Sequence, residues 1–277
     1  GSSSGPSPLS SPQRGCPSAS RRAMRTPRAC SARPARAVVG LALLRCCAAV
    51  AAEAQLPPWE HVATHFGPLM LREFGPQDGP LVVLVHGMMD NDYIRNEWNP
   101  VALKLAESEF HVIVPDFHSA PAELRPAVMT DAVFQEVLLQ ALLTRNTMVP
   151  ARYHSVVKPK AVVMGKSWGA RMAAAAGVLE QVLGVGLVVP AIGASAGELL
   201  PAIKGDLAIC LAKDDPVVPY SQASTAIRNA LGDRKVTWVE ADEGGHRVLD
   251  DFVQPLVSFA ESLRPAFVHD DTGPVEL

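Results

Sequence analysis

Past Pro58 the sequence alternates short apolar runs with segments of helical spacing, and this alternation restricts the fold more than any other feature. Leu81-Val-Val-Leu-Val85 and Leu207-Ala-Ile-Cys-Leu-Ala212 are aliphatic without interruption. Strands of that kind must be buried on both faces, which requires helices packed on both sides of a mostly parallel central sheet. The fold class is therefore α/β. The predicted strands are residues 69–73, 81–85, 112–115, 161–164, 184–189, 207–212 and 236–240, and the predicted helices 97–107, 128–143, 168–183, 197–203, 222–231 and 249–263. There is no internal repeat.

Charge divides the chain into unlike parts. Before Glu53 there are eight Arg and no acidic residue, whereas from Glu53 onward 17 basic residues face 28 acidic ones, a net −11. An acidic body lacks the electrostatic footprint of a nucleic-acid or anionic-membrane binder, so neither partner is expected. Residues 1–36, rich in Ser, Pro, Ala and Arg, cannot bury enough surface to offset ordering and are expected to be disordered. From Met24, the expected start, a basic stretch leads into apolar residues 37–44, then Arg45-Cys46-Cys47, then Ala52-Glu53-Ala54 before Gln55. This reads as a targeting peptide, compatible with secretion and equally with delivery to a plastid or mitochondrion after leader removal. Its apolar run is too short and too interrupted for a stable membrane span. The expected organisation is a leader at 1–54, one domain at 55–268 and a loose tail at 269–277. Cys210 is the one cysteine of the body and lies in an apolar run, as a buried structural thiol would. No Cys/His spacing suggests zinc, and neither a metal nor a cofactor is expected.

Four motifs carry chemistry. In Gly165-Lys166-Ser167-Trp168-Gly169, a serine stands between a predicted strand and an Ala-rich predicted helix. Glycine at −2 and +2 permits the tight turn that lifts a hydroxyl clear of a sheet, and the helix N-terminus offers free N–H groups to a developing oxyanion. A glycine-flanked turn without catalysis would look the same in isolation. His86-Gly87-Met88 follows an apolar strand, where the N–H of Met88 is placed to form an oxyanion hole with that of Trp168. His86 itself is read as a structural histidine whose ring orders the loop. Asp214-Asp215-Pro216 follows another strand; a triad acid belongs at such an end, with Asp215 in the better position and Asp214 as the alternative. Glu243-Gly244-Gly245-His246 places a base on a glycine-rich loop after the last strand, where Gly-Gly supplies the freedom to reach over the sheet edge.

With Ser167, Asp215 and His246 in that order, residues 67–263 resemble the α/β-hydrolase fold superfamily. The small capless members similar to carboxylesterases and dienelactone hydrolases are nearest, and stretches 112–121 and 188–219 resemble the small abhydrolase domain-containing proteins of class 14. The resemblance implies a serine hydrolase that cleaves a small carboxylic ester or thioester through an acyl-enzyme on Ser167. The same motifs leave open a non-catalytic binding or receptor module, or an acyltransferase on the same triad. Connections 190–205 and 116–130 are short, so the expected cap is minimal or absent and the pocket open. Two features depart from the family pattern. Where many relatives carry Asp-x-x-Gly-x-Gly, Asp116-Phe-His118-Ser-Ala-Pro has no glycine. Lys166 precedes the nucleophile and is expected in a surface salt bridge, with contact to an acidic substrate group as the alternative. Trp168 either shapes the acyl pocket or packs on the nucleophile helix.

Overall fold

The computed structural model describes residues 56–148 and 159–268. The leader, the targeting peptide and the tail at 269–277 lie outside the described residues. Eight strands form one sheet: β1 (Glu60–Thr64), β2 (Gly67–Phe74), β3 (Leu81–Val85), β4 (His111–Asp116), β5 (Ala161–Lys166), β6 (Val182–Val188), β7 (Asp206–Ala212) and β8 (Thr237–Ala241). Their spatial order is β1-β2-β4-β3-β5-β6-β7-β8. β1 and β2 form an antiparallel hairpin, β2 runs antiparallel to β4, and every pair from β4 to β8 is parallel. β3, β4 and β5 are buried along their whole length, as the central strands of a double-covered sheet must be.

β1 is absent from the predicted strands. Its sequence Glu-His-Val-Ala-Thr has no apolar run, and as an edge strand it leaves Glu60, His61 and Ala63 exposed. Its existence rests on pairing with β2 across a turn in which the Thr64 hydroxyl donates to Gly67 O (2.6 Å) and accepts from Phe66 N (3.1 Å).

The helices are α1 (Asp92–Asn96), α2 (Asn99–Glu107), α3 (Asp131–Val137), α4 (Trp168–Ala176), α5 (Ala196–Ala202), α6 (Tyr220–Leu231) and α7 (Asp250–Val268). Three differ from expectation for local reasons. The segment predicted at 97–107 is preceded by a separate turn capped by Asn91, whose Oδ1 accepts from Ile94 N (2.9 Å), and α2 starts afresh with Pro100 in its first turn. The predicted 128–143 helix begins later, where Thr130 caps Val133 N, and after α3 it widens into a π turn at Leu138–Leu142. The predicted 168–183 helix stops at Ala176, before Gly177, because Val182 already pairs into the sheet.

Two cores lie on opposite faces of the sheet. One packs Trp98, Leu105 and Phe110 against Phe252, Leu256 and Phe259 of α7; the other packs Phe117, Phe134 and Leu138 with α4 and with Ile227 of α6. The chain leaves β3 for the α2 face and leaves β5 for the α4 face, so the loops after β3 and β5 diverge at the middle of the sheet. Such a switch point opens a crevice outside the carboxyl ends of the strands. Phe252 is fully buried in the α7 core. Phe252→Ala is expected to cost about 3–5 kcal/mol of unfolding free energy in a urea titration; a loss under 1 kcal/mol would show that α7 contributes little to the fold.

Candidate active site

The turn between β5 and α4 is built by backbone contact. A methyl group on Gly165 would sit 2.0 Å from Gly169 O, and one on Gly169 would sit 2.3 Å from Val85 O and 2.5 Å from His86 O. No side chain fits either place, so α4 can begin this close to β3 only with glycine at both positions. Between them Ser167 is held at φ 57°, ψ −115°, a left-handed backbone that costs a non-glycine residue of order 1–3 kcal/mol. Its N–H donates to Val188 O (2.9 Å), and its carbonyl accepts from Ala170 N and from Ala191 N (both 3.2 Å). A second strained residue, Val189 at φ 39°, follows on the neighbouring strand and is pinned by Val189 N to Cys210 O (2.8 Å). Trp168 N–H is the first amide of α4, one of those that find no acceptor within a helix.

Asp215 and His246 meet. His246 Nδ1 lies 2.7 Å from Asp215 Oδ2, and the other oxygen, Oδ1, accepts from Val217 N (2.8 Å) and Val218 N (2.9 Å). The carboxylate is buried and can only accept from the ring, so the Nδ1 beside it carries the imidazole proton. Asp214 is turned away from the ring. Its two oxygens accept from Gly244 N (3.1 Å) and Gly245 N (2.8 Å), and these N–H groups hold its carboxyl below the usual range. It thus ties down the loop that carries His246, whose glycines sit at φ 132° and 67°. The Gly-Gly pair supplies positive-φ geometry to a tethered loop rather than mobility. Among the described residues no hydrogen bond joins the Ser167 hydroxyl to the His246 ring. Contacts of this type often close only around a substrate.

The Met88 side chain is 53% exposed on the loop after β3. Trp168 packs inward, edge-on to Phe117 at 6.1 Å, beside His86 at 6.2 Å. It therefore packs beneath the turn between β5 and α4. His86 is buried: Nε2 accepts from Phe117 N (3.0 Å) and Nδ1 reaches Gly87 O at 2.7 Å. A carbonyl can only accept, so the proton is on Nδ1. Burial pulls this imidazole down to about 4. Cys210 is buried too, and burial pushes its thiol up.

The surface salt bridge expected for Lys166 is corrected. Its side chain is 3% exposed and faces Glu97, which is 0% exposed, at 3.2 Å from Nζ to Oε2. The angles fall outside hydrogen-bonding geometry, leaving Oε2 without a hydrogen bond, while Oε1 accepts from Gly87 N (3.2 Å). Burial outweighs the neighbouring ammonium and raises the Glu97 carboxyl. The sequence places Glu97 and His118 on loops expected to border the pocket, at 90–98 and 116–124, but assigns neither a partner there. The one available signal was a lysine closing an otherwise apolar strand.

No protein-family model matches the sequence, and no curated protein matches it. Solved structures do resemble the fold. A predicted CIB-like hydrolase from Thermoplasma acidophilum superposes with a TM-score of 0.57 at 19% identity, covering 74% of this chain and 98% of that one. Alpha/beta hydrolase domain-containing protein 10 from mouse gives 0.54 at 12% identity, over 76% and 99%. A thioesterase domain from the curacin biosynthetic pathway gives 0.53 at 13%, over 73% and 98%. The chain has the α/β-hydrolase fold, and among the described residues there is no separate cap: residues 190–205 hold one short turn and α5.

The unfolded His86 ring takes up a proton near pH 6.5 and the folded ring only near pH 4, so between these values the unfolded chain binds more protons. Stability due to His86 is therefore expected to be intact above pH 6.5 and to fall by about 3 kcal/mol on acidification to pH 4. Urea titrations across that window should show this slope in the wild type and not in His86→Gln; equal slopes would refute it.

Proposed function

We propose that this α/β-hydrolase-fold chain is a serine hydrolase that cleaves a carboxylic ester or thioester through an acyl-enzyme on Ser167. The observation that carries the reading is the 2.7 Å contact between His246 Nδ1 and a buried Asp215, together with a serine held at positive φ on a strand-to-helix turn. The thioesterase domain among the structures of similar fold supports the same reaction class.

In this reading His246 Nε2 takes the Ser167 proton as Oγ bonds to the acyl carbon. The carbonyl oxygen becomes an oxyanion held by the N–H groups of Met88 and Trp168. His246 then returns the proton to the leaving oxygen or sulfur as its bond to the acyl carbon breaks. Water, deprotonated by the same nitrogen, attacks the acyl-enzyme; Ser167 leaves and recovers its proton. Asp215 keeps Nδ1 protonated throughout, which leaves Nε2 free as the base.

The acyl side of the substrate has a place to lie. A cavity of about 590 Å³ is bounded by Pro190, Ala191 and Ile192 after β6, by Val217 and Val218 after β7, and by Ala223 of α6. Its walls adjoin the site at two points: Ala191 N donates to Ser167 O, and Val217 and Val218 donate to Asp215. The volume falls in the range of small-molecule sites, and the lining is largely apolar.

A fluorophosphonate probe is expected to label the wild type and not Ser167→Ala, with ester turnover lost in that variant. Labelling of neither, in folded protein, would instead favour a non-catalytic binding module. Asp215→Asn should retain the fold and lower kcat by roughly 10⁴-fold, the cost of the wrong imidazole tautomer. Filling the cavity with Ala223→Trp should reduce kcat/KM for an octanoate p-nitrophenyl ester roughly tenfold or more while sparing the acetate ester. Equal loss on both esters would exclude the cavity as the acyl site.

A further inference from the structure

Gly87 is gripped from both sides by side chains. Its N–H donates to Glu97 Oε1 (3.2 Å). Its carbonyl oxygen lies 2.7 Å from His86 Nδ1 and 3.2 Å from His118 Nε2. Because that oxygen can only accept, both ring nitrogens donate to it. The two imidazoles stack at 4.4 Å and 23°. His118 is in turn fixed by its own loop: Asp116 Oδ1 accepts from His118 N (3.0 Å) and Ser119 N (3.3 Å), and Asp116 Oδ2 from the Ser119 hydroxyl (2.7 Å). Arg95 Nε stands 3.5 Å from the same carboxylate.

The Gly87 carbonyl and the Met88 N–H belong to one planar trans peptide and point in opposite directions. Fixing the first therefore fixes the second. The place is also right. A methyl group on Gly87 would lie 3.6 Å from Ser167 Cβ and 3.3 Å from Lys166 Cδ and Nζ. The loop, the nucleophile and the Lys166–Glu97 pair are thus in mutual contact.

A purely stabilising role does not account for the buried pair. Two charges removed from water gain little net stability over an apolar pair of similar volume. An apolar pair, however, offers no acceptor to Gly87 N–H. We propose that Glu97, held by Lys166, and His118 are positioning residues that clamp the Gly87 peptide groups so that the Met88 N–H is aimed at the oxyanion formed on a Ser167 acyl adduct. This rests on the serine-hydrolase reading above. A preorganised donor acts in the transition state and much less in the ground state, so a loosened clamp lowers kcat more than it raises KM.

The test uses the full chain, a small p-nitrophenyl ester and a trifluoromethyl ketone, whose hemiketal oxyanion occupies the same hole. Two variants loosen the clamp: His118→Leu, and the double variant Glu97→Leu with Lys166→Met, which removes both charges together and leaves neither buried alone. Each is expected to lower kcat by roughly 10–100-fold with KM within about twofold, less than the full loss of an oxyanion donor. Each should weaken the ketone by a similar factor. His118→Gln keeps a side-chain N–H donor and should recover most of the activity. Unchanged kcat and ketone affinity in both variants would overturn the clamp, as would His118→Gln behaving like His118→Leu. The two readings fail separately: a wild type that takes no fluorophosphonate at Ser167 removes the catalytic reading and the clamp with it, whereas equal labelling rates in wild type and both variants remove the clamp alone.

Discussion

At the centre of the sheet the backbone of α4 touches the backbone at the end of β3, and the rest of the site depends on that approach. The Gly169 Cα faces the Val85 and His86 carbonyls at a distance no Cβ could share, and Gly165 makes the same concession to Gly169. Once the helix starts this close to the strand, Ser167 turns through positive φ beside the crevice between the two diverging loops. The strain is held by neighbours: Val188 and Ala191 bind both ends of the Ser167 peptide, and β6 itself carries a strained Val189 immediately afterward. Packing density here is therefore a positional device. It places one hydroxyl relative to one loop.

The electrostatics of the site follow a similar economy. Asp215 is buried with every contact directed at the imidazole or at its own turn, while the neighbouring Asp214 spends both oxygens on the histidine loop. Two adjacent carboxylates thus divide orientation between them, one fixing the ring's tautomer and the other its approach. His86 is kept neutral by burial, which preserves its Nε2 as the acceptor for Phe117 N–H and its Nδ1–H as a donor to Gly87. A charged ring there could not do both.

Much of this was legible in the sequence, and the parts that were not share a physical reason. Strands buried on both faces announce themselves by composition, and for β3 the expected 81–85 coincides with the observed bounds. The fold class followed from those runs. β1 did not, because an exposed edge strand has no composition that distinguishes it from a loop. Helix ends were misjudged where a cap or a competing strand decided them, as at Thr130 and Val182. Within the site, motifs that are local in sequence were readable: the glycine-flanked serine, the aspartates before Pro216, the histidine after two glycines. The Lys166–Glu97 pair was not. It joins the end of β5 to the segment leading into α2, and a lysine beside a nucleophile carries no sign of whether it turns outward to water or inward to a carboxylate.

The loop after β4 shows why the glycine-free sequence there is more than an irregularity. Where the family pattern has a glycine-rich loop, this chain has Phe117, His118 and Ser119. The loop reaches the Gly87 carbonyl with a side chain, His118, whose own backbone is anchored to Asp116. The exchange has a cost and a consequence. A side-chain donor loses rotamer freedom that a backbone N–H never had, and stacking on His86 with an anchored main chain is what offsets that loss. The consequence is that alignment of the Gly87 peptide becomes a property of side chains drawn from the loop after β3, the segment between α1 and α2, β5 and the loop after β4 together. A mutation in any of these elements can then shift the Gly87 peptide without touching Ser167, Asp215 or His246.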